Sequence, residues 1–578
     1  MIDLSCLHRP SPPVSDMLLS GGLFELTAGV LLIVIALAAA VAPWVRRRYR
    51  RRVIRLMGMD QVAARPAGWW TSLRKAPAAQ ESATSGVGGA NAVLGADDLA
   101  SRVRDREHRI ILATVAAWLS FAVMAWWVAG IYANISRGGR LGFAVAAALL
   151  ATGPAMTNLP PRWSHRALSI GFIACVLGLL LMANMVSARP TVSGVQDEDL
   201  SAWEMALGAL LCGAAYLAMF HRSLRGQVLP VFVVLAVAML LFLVPYGYLE
   251  RHAGACLTEI DATGEGSPQR TAFVLVATPL VGLGIWLAFR ALDALAGLIE
   301  RGWLSELSLG SAVSLTVIAV ALVFASTPEG ADGREAWWAW APLLWMAVTL
   351  SIYALALAPG RRRAGAAGPQ LLVLRVFSRD RRKHGLLDEV QSRWRYVGAV
   401  HQIGGPDMVA MNVDPYESAM FLSNRLHDLF LPEAASPAQL QARLNSAPDC
   451  EGRYGINEVF CFNTAWRRTV EQLMYLSDAI VLDLRGLTAQ REGTAYEIRR
   501  LAAFDLLPRV VAVGDEGTDW PHVEGLLRAE GQDPQRLVRL NLGTGPQLKS
   551  LFTRLLEVAA QQGAAADASR AGSPRSPA

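Results

Sequence analysis

Residues 478–502 (DAIVLDLRGLTAQREGTAYEIRRLA) place carboxylates on both sides of a loop that joins a predicted strand to a predicted helix. The chemistry-bearing residues of this stretch are Asp483, Arg485, Gly493, Thr494 and Glu497. A carboxylate at a helix start can transfer a proton when burial raises its pKa, and it can stabilise a developing positive charge. An arginine beside it can bind a phosphate through its guanidinium group. The pattern is therefore compatible with a site for a nucleotide or a sugar.

Polar residues and glycines also follow the ends of other predicted strands. They are Ser378, Arg379 and Asp380; Gly404, Gly405 and Asp407; and Asp515, Glu516 and Asp519. In open α/β sheets ligands collect at the carboxyl ends of the strands. We therefore interpret one set as ligand-binding, namely Ser378, Arg379, Gly404, Gly405, Arg485, Gly493 and Thr494. Glu497 and Asp483 are the catalytic candidates, although plain loop polarity explains many of the rim residues equally well.

The spacing of Thr494 and Glu497 has a second interpretation, a capping box. In it Thr494 caps the helix while the Glu497 side chain bonds back to the Thr494 N–H. A glutamate in a first helical turn also gains about 0.3–1 kcal/mol from the helix dipole. The capping and catalytic interpretations both stay open at the level of sequence.

Several classes of enzyme are disfavoured by the motifs that are missing. The chain has no Walker A motif, no GxGxxG after a strand, no HExxH and no GxSxG. Its six cysteines include no CxxC pair, so no zinc or thioredoxin motif is indicated. We predict no metal site and no resident cofactor.

Residues 478–502 resemble the corresponding region of nucleoside 2-deoxyribosyltransferase-like proteins and of TIR domains. Asp483, Gly493 and Glu497 match the order strand, Asp, loop, Gly, Glu of the first family, and the SRDRR loop at 378–382 resembles the loop after the first TIR strand. The resemblance implies a flavodoxin-like sheet in which Glu497 acts on an N-glycosidic bond, with NAD or another nucleotide as the substrate. It also implies that Asp483 orients Glu497 or accepts a ribose hydroxyl, and that Arg485 contacts a phosphate.

The elements that must position these residues alternate from residue 371 onwards. Apolar runs predict strands at 371–377, 397–403, 456–462, 479–484, 509–514 and 537–542. Amphipathic stretches predict helices at 385–395, 417–430, 437–445, 465–476, 494–504, 520–530 and 547–559. Strand–helix alternation of this kind predicts a mostly parallel, Rossmann/flavodoxin-like sheet with helices on both faces. We expect this domain at 370–563, after a linker at 360–369 and before a disordered tail at 564–578.

The composition of the chain before residue 360 is typical of a membrane protein. The whole sequence is 53% hydrophobic and only 18% charged, with a mean hydropathy of +0.32, whereas soluble domains carry about 25% charged residues. Apolar segments of about 20 residues match a ~30 Å hydrocarbon core. We predict nine spans, at 19–45, 110–135, 141–159, 167–187, 202–220, 228–249, 271–291, 309–327 and 337–358. The loop at about 46–109 is predicted to be cytoplasmic and disordered.

Arginine placement predicts the orientation in the plasma (inner) membrane. Arginines concentrate in alternate connections, above all in the RRRYRRRVIRL strip at 46–56, and such connections are cytoplasmic as a rule. The N-terminus, 1–18, is then extracytoplasmic and the α/β domain cytoplasmic. The net charge is +6, and the arginines cluster beside apolar spans. This placement favours lipid headgroups over nucleic acid as the partner of the basic residues.

Three functions follow from this organisation. The first is a membrane-localised sensor or effector whose TIR-like domain binds a nucleotide or cleaves its N-glycosidic bond. The alternatives are a non-catalytic membrane scaffold or binding protein and a transporter with a cytoplasmic regulatory domain. The predicted partners are the lipid bilayer and a nucleotide-type small molecule, and assembly into a homo-oligomer stays open.

Overall fold

The computed structural model describes fifteen stretches of the chain. They are 21–58, 95–132, 173, 226–235, 267–305, 308–309, 344–345, 347–349, 351, 368–375, 381–405, 413–432, 435–488, 491–541 and 547–571. The described residues of Met1–Arg48, Ile111–Ala356 and Asn412–Ser423 form one compact unit, here called the helical unit. Those of Tyr49–Ile110, Leu357–Met411 and Asn424–Ala578 form the second, the sheet unit.

Long helices dominate the described residues before residue 310. They are α1 (Gly21–Met57), α2 (Ala96–Tyr132), the short α3 (Gly226–Leu235) and α4 (Ser267–Glu300). In the helical unit these helices expose large apolar side chains, among them Leu112 and Leu119 of α2 at 66% and 63% exposure.

The predicted number of nine spans is not supported. Among the described residues, one segment, Gly282–Glu300, has both the length and the apolar composition to cross a bilayer, and Gly226–Leu235 is apolar but shorter. The predicted spans at 141–159 and 202–220 lie wholly outside the described residues, and most of the other spans are described only in part.

The predicted helix at 417–430 is wrong in its extent. The chain forms α6 (Pro415–Leu422), for which the Asp414 carboxylate accepts the Tyr416 N–H at 2.8 Å. The helix stops before Asn424, whose φ of 56° lies in the left-handed region. A 3₁₀ turn, Leu426–Leu429, and a two-residue strand follow. Within the helical unit, Ala419 of α6 is buried against Leu292 and Ala296 of α4.

The sheet unit confirms the prediction of a parallel α/β domain. Its strands are β1 (Leu371–Arg375), β2 (Val400–Ile403), β3 (Phe430–Leu431), β4 (Ile456–Cys461), β5 (Ala479–Asp483), β6 (Val510–Gly514) and β7 (Val538–Asn541). Its helices are α5 (Arg381–Trp394), α7 (Pro437–Arg443), α8 (Trp466–Leu476), α9 (Glu492–Ala503), α10 (Trp520–Ala529) and α11 (Gln547–Ala571). All six predicted strands and every predicted helix of this domain outside 417–430 are present. Among the described residues, β3 is the one strand that the prediction lacked.

The strand order of the sheet is β3-β4-β2-β1-β5-β6-β7, and all neighbours are parallel. The five strands from β2 to β7 follow the flavodoxin order 2-1-3-4-5, and with β4 included the order becomes 3-2-1-4-5-6 of doubly wound folds. Strands β1, β5 and β6 are buried along their whole length, as strands covered by helices on both faces must be.

Two segments predicted to be disordered are in part helical. The ends of the 46–109 loop are helical, because α1 continues to Met57 and α2 begins at Ala96, while 59–94 lies outside the described residues. The tail at 564–578 is helical as far as Ala571, and 572–578 lies outside the described residues. Small, helix-favouring alanines continue α11 beyond its predicted end.

The helical ends of the loop belong to the sheet unit. Tyr49, Val53 and Leu56 of α1 are buried, and so are Leu99 and Val103 of α2; the spacing of three or four residues makes one face of each helix. One turn beyond Val103, the buried guanidinium of Arg106 acts as a hydrogen-bond donor.

Arg106 donates to the main-chain oxygens of Tyr396, at 2.7 Å, and of Gly452. Its guanidinium also lies over the Tyr454 ring, 5.7 Å from the centroid. Burial lowers the pKa of Arg106. The two carbonyl oxygens and the face of the ring stabilise the positive charge at this buried position.

We expect Arg106→Met to destabilise the sheet unit by about 3 kcal/mol, since a hydrogen bond to a charged group contributes about 1.5–3 kcal/mol and two carbonyls lose their donor. Hydrogen exchange of the purified full-length chain should show faster exchange around Tyr396 and Tyr454. Arg104→Met on the same helix, at an exposed position, is the control. Equal exchange in the two variants would contradict this role of Arg106.

Candidate functional site

The strand order reverses between β1 and β5, which makes their carboxyl ends the place where a ligand crevice is expected. The connection after β1 leads to β2 on one side, and the connection after β5 leads to β6 on the other. At this edge Arg375 of β1 pairs in register with Asp483 of β5, and both side chains are buried. The switch point therefore carries a basic and an acidic group side by side.

Asp483 and Arg485 form a two-pronged ion pair. The Arg485 Nη2 and Nε donate to the two Asp483 carboxylate oxygens at 2.7 and 2.8 Å, and the Arg485 main-chain N–H donates to Oδ1 at 3.2 Å. Both side chains are about nine-tenths buried. This geometry is the strongest form of carboxylate–guanidinium pairing. Asp483 thus fixes Arg485, and each group largely neutralises the other.

The loop after the ion pair is held by Asp515 at the end of β6. Gly486 adopts a φ of 72°, a conformation that favours glycine, and its N–H donates to Asp515 Oδ1 at 3.2 Å. The same oxygen accepts from the Gly517 N–H and the Thr518 hydroxyl. Asp519 accepts the His522 N–H as the cap of α10. The predicted rim residues Asp515 and Asp519 therefore shape the loops.

Helix α9 begins two residues earlier than the predicted cap, and the capping-box interpretation is wrong. Arg491 occupies the cap position without a side-chain hydrogen bond. Thr494 is then the third residue of the helix and Glu497 the sixth, about 7.5 Å along the axis from Glu492. Thr494, Glu497 and Ile498 lie on the buried face of the helix. Glu497 therefore points inward from the second turn.

Glu497 is the least compensated acidic group found in the described part of the sheet unit. Its side chain is 7% exposed, and its buried Oε2 has no hydrogen-bond partner among the described residues. Burial raises the pKa of Glu497 to about 8, so at neutral pH the carboxyl is mostly protonated. A buried polar atom without a partner costs about 1–3 kcal/mol. Groups kept at such a cost, with a pKa moved towards neutrality, are typical of functional sites.

The predicted glycine positions have structural explanations. A Cβ on Gly404 would lie 2.8 Å from the Phe460 ring, so glycine is required for β2 to end against β4. Gly405 beside it is buried. Gly493 is exposed, and a Cβ at this position would meet no described atom within 4 Å, so a side chain would fit there.

The structure brings some of the predicted residues together and leaves others apart. It joins Asp483 to Arg485, and in the described part of the chain no hydrogen bond or ion pair runs from Glu497 to either of them. Ser378 and Arg379 lie outside the described residues. Sequence reasoning missed Arg375, whose signal was a basic residue inside the apolar run LLVLRVF. Among the described residues, no group of three or more His, Cys, Asp or Glu side chains could hold a metal ion.

Comparisons of the chain with protein-family models, with curated proteins and with solved structures gave no match. The resemblance to TIR domains and to nucleoside 2-deoxyribosyltransferase-like proteins therefore stays a prediction, which depends on the residues at 478–502 and 378–382.

The raised pKa of Glu497 makes the stability of the sheet unit depend on pH. The folded-state pKa of about 8 lies above the ordinary value of 4.5, so this group favours folding below pH 4.5 and loses that contribution as the pH rises towards 8. We expect Glu497→Gln to match the unmutated chain near pH 4.5 and to be more stable by a few kcal/mol, roughly, near pH 8.

The measurement is the apparent melting temperature of the full-length chain between pH 4.5 and 8.5. Glu492→Gln makes the same change at an exposed position of the same helix and should leave the pH profile unchanged. Parallel profiles for Glu497→Gln and the unmutated chain would contradict the prediction.

Proposed function

We propose that the chain is an integral membrane protein whose sheet unit, on the cytoplasmic side, binds a nucleotide-type ligand and cleaves its N-glycosidic bond through Glu497. The observation that carries this proposal is the burial of Glu497 without a hydrogen-bond partner among the described residues, in the helix that follows the central strand β5. The resemblance at 478–502 supports the same residue in the same role. The type of sheet also supports the proposal, since doubly wound sheets bind ligands at the carboxyl ends of their strands.

The protonation state of Glu497 favours one kind of leaving group. A protonated Glu497 donates its proton to the base nitrogen as the C1–N bond breaks and the bonding electron pair stays on that nitrogen. The resulting carboxylate stabilises the oxocarbenium-like sugar, and water adds to C1 while its proton returns to Glu497. Such a cycle suits a neutral nucleoside. A nicotinamide already carries a positive charge and leaves without a proton, so it needs only the carboxylate.

We expect the purified full-length chain to release the base from a nucleoside-type substrate and Glu497→Gln to lower the rate 10²–10⁴-fold, the usual contribution of a positioned acid. Glu492→Gln should keep full activity. The rate on nucleosides should fall above pH 8, because the acid is then ionised, whereas a rate on NAD should rise over the same range. Chromatography of released base gives both profiles. No turnover of any nucleoside or of NAD would remove the enzyme claim.

A non-catalytic binding module is the second candidate. The ion pair between Asp483 and Arg485, with donor–acceptor distances of 2.7 and 2.8 Å, occupies the residue that the resemblance casts as the partner of Glu497. In a module of this kind the protonated Glu497 would donate a hydrogen bond to a bound ligand without chemistry. Saturable binding of ADP-ribose or a nucleoside without turnover, lost in Glu497→Gln, would identify this second function.

The membrane placement is supported by the surface of the described helices. Leu112 and Leu119 of α2 and Leu283 and Trp286 of α4 are about half exposed or more, and lipid chains are the environment that would cover such side chains. The nine spans and the orientation belong to the same proposal. The transporter alternative stays a prediction, and it needs a polar path through the membrane segments.

We expect native cysteines to report the orientation. Cys6 lies in the segment predicted outside, and Cys450 lies partly buried in the sheet unit. In chains that keep one cysteine each, a membrane-impermeant maleimide should label Cys6 in intact cells and Cys450 only after permeabilisation. Labelling of Cys450 in intact cells would contradict the cytoplasmic placement.

A further inference from the structure

The exposed face of α1 changes from apolar to cationic at one residue. Leu37 and Trp44 are 41% and 58% exposed on this face, and Arg47 and Arg48 are exposed one turn further on. Ala38, Ala42 and Val45 form the buried face opposite. One continuous outward face therefore carries apolar side chains first and guanidinium groups after Trp44, which is the change of solvent met between hydrocarbon and headgroups.

The helical unit contains the same arrangement a second time. On α1 the Arg48 guanidinium lies 5.3 Å from the centroid of the Trp44 ring, and on α4 the Arg290 guanidinium lies 5.2 Å from that of Trp286. In both helices the arginine follows the tryptophan by four residues. Both tryptophans are more than half exposed, and Leu283 precedes Trp286 as an exposed apolar residue. We call these two pairs the Trp–Arg pairs.

A guanidinium that lies over a ring keeps its N–H edge free for an anion. The ring takes up one side of the group, whereas the five N–H donors spread around its plane and can match two oxygens of one phosphate. Among the described residues, no hydrogen bond or ion pair involves Arg48 or Arg290 beyond the ring contact. The donors of both groups are therefore not taken up by the described chain.

We propose that each Trp–Arg pair binds the phosphate of an anionic phospholipid in the cytoplasmic leaflet. This inference rests on the membrane placement in the proposed function. Tryptophan prefers the membrane interface, and an arginine near an anionic leaflet gains about a fivefold preference for it. The exposed apolar residues that precede both pairs assign the anion to a lipid, since its acyl chains would cover Leu37 and Leu283.

The second pair also decides where the span of α4 ends. A span at Gly282–Glu300, chosen by apolar composition, would put Arg290 near the middle of the hydrocarbon, where a charge is costly. The predicted span at 271–291 puts Arg290 at the cytoplasmic end. Arg290 is exposed and lies over the ring of a tryptophan, a residue type that prefers the membrane interface, and both facts favour the second placement.

The test is retention of lipid by the full-length chain in nanodiscs of phosphatidylcholine with and without 30% phosphatidylglycerol, read by native mass spectrometry after transfer to detergent. We expect two phosphatidylglycerol molecules to be retained. Arg48→Gln and Arg290→Gln should each lose one of them, with about a fivefold weaker affinity at that site. Arg55→Gln in α1 and Arg301→Gln in the turn directly after α4 change exposed arginines that have no ring contact among the described residues, and both variants should retain both lipids.

Other outcomes separate this inference from the proposed function. Retention that is equal for the two lipids, or equal in all four variants, overturns the Trp–Arg sites and leaves the membrane placement intact. A chain that stays monodisperse without detergent and takes up no lipid overturns the membrane placement itself. Inorganic phosphate that binds in lipid-free detergent as tightly as phosphatidylglycerol, and with the same loss in Arg48→Gln, would assign the pairs to a soluble anion and overturn the lipid assignment.

Discussion

The pairing of β1 with β5 aligns five residue pairs, from Leu371 with Ala479 to Arg375 with Asp483, and the sheet unit is organised around it. Strands buried on both faces must be covered by helices on both sides, so the connections leave this pair in opposite directions. The last pair in the register is charged, at the edge where the apolar run stops. The same register that buries the strands thus sets an acidic and a basic group at the switch point.

The inner face of α9 combines two opposing demands. Ile498 and Leu501 pack into the main hydrophobic cluster, and this burial fixes the rotation of the helix. The rotation carries Glu497 inward as well, since it lies on the same face one turn before Leu501. Apolar burial of about 1.5–3 kcal/mol for each large side chain offsets the cost of an acid without a partner among the described residues. An uncharged acid is thereby held rigidly, at the expense of stability at alkaline pH.

The strands could be predicted from sequence because short apolar runs such as AIVL, bounded by polar residues, are typical of strands that are buried on both faces. Strand β3 could not, since two residues at a sheet edge carry no periodic signal. The site was predictable only in part. Thr494 and Glu497 have the spacing of a capping box, and only the helix start at Glu492 excludes it. Arg375 could not be predicted as a site residue, because it stands inside an apolar run and only the register with the neighbouring strand places it beside Asp483.

The bonds of Arg106 close over 290 and 346 positions of sequence. During synthesis the helix that carries this arginine is made long before the carbonyls it meets, so its buried face must wait in water or against a chaperone until the last third of the chain emerges. Contacts of such separation are slow to form. A fragment that begins after the apolar segments would lack this helix altogether. The C-terminal third of the gene therefore does not encode the whole sheet unit.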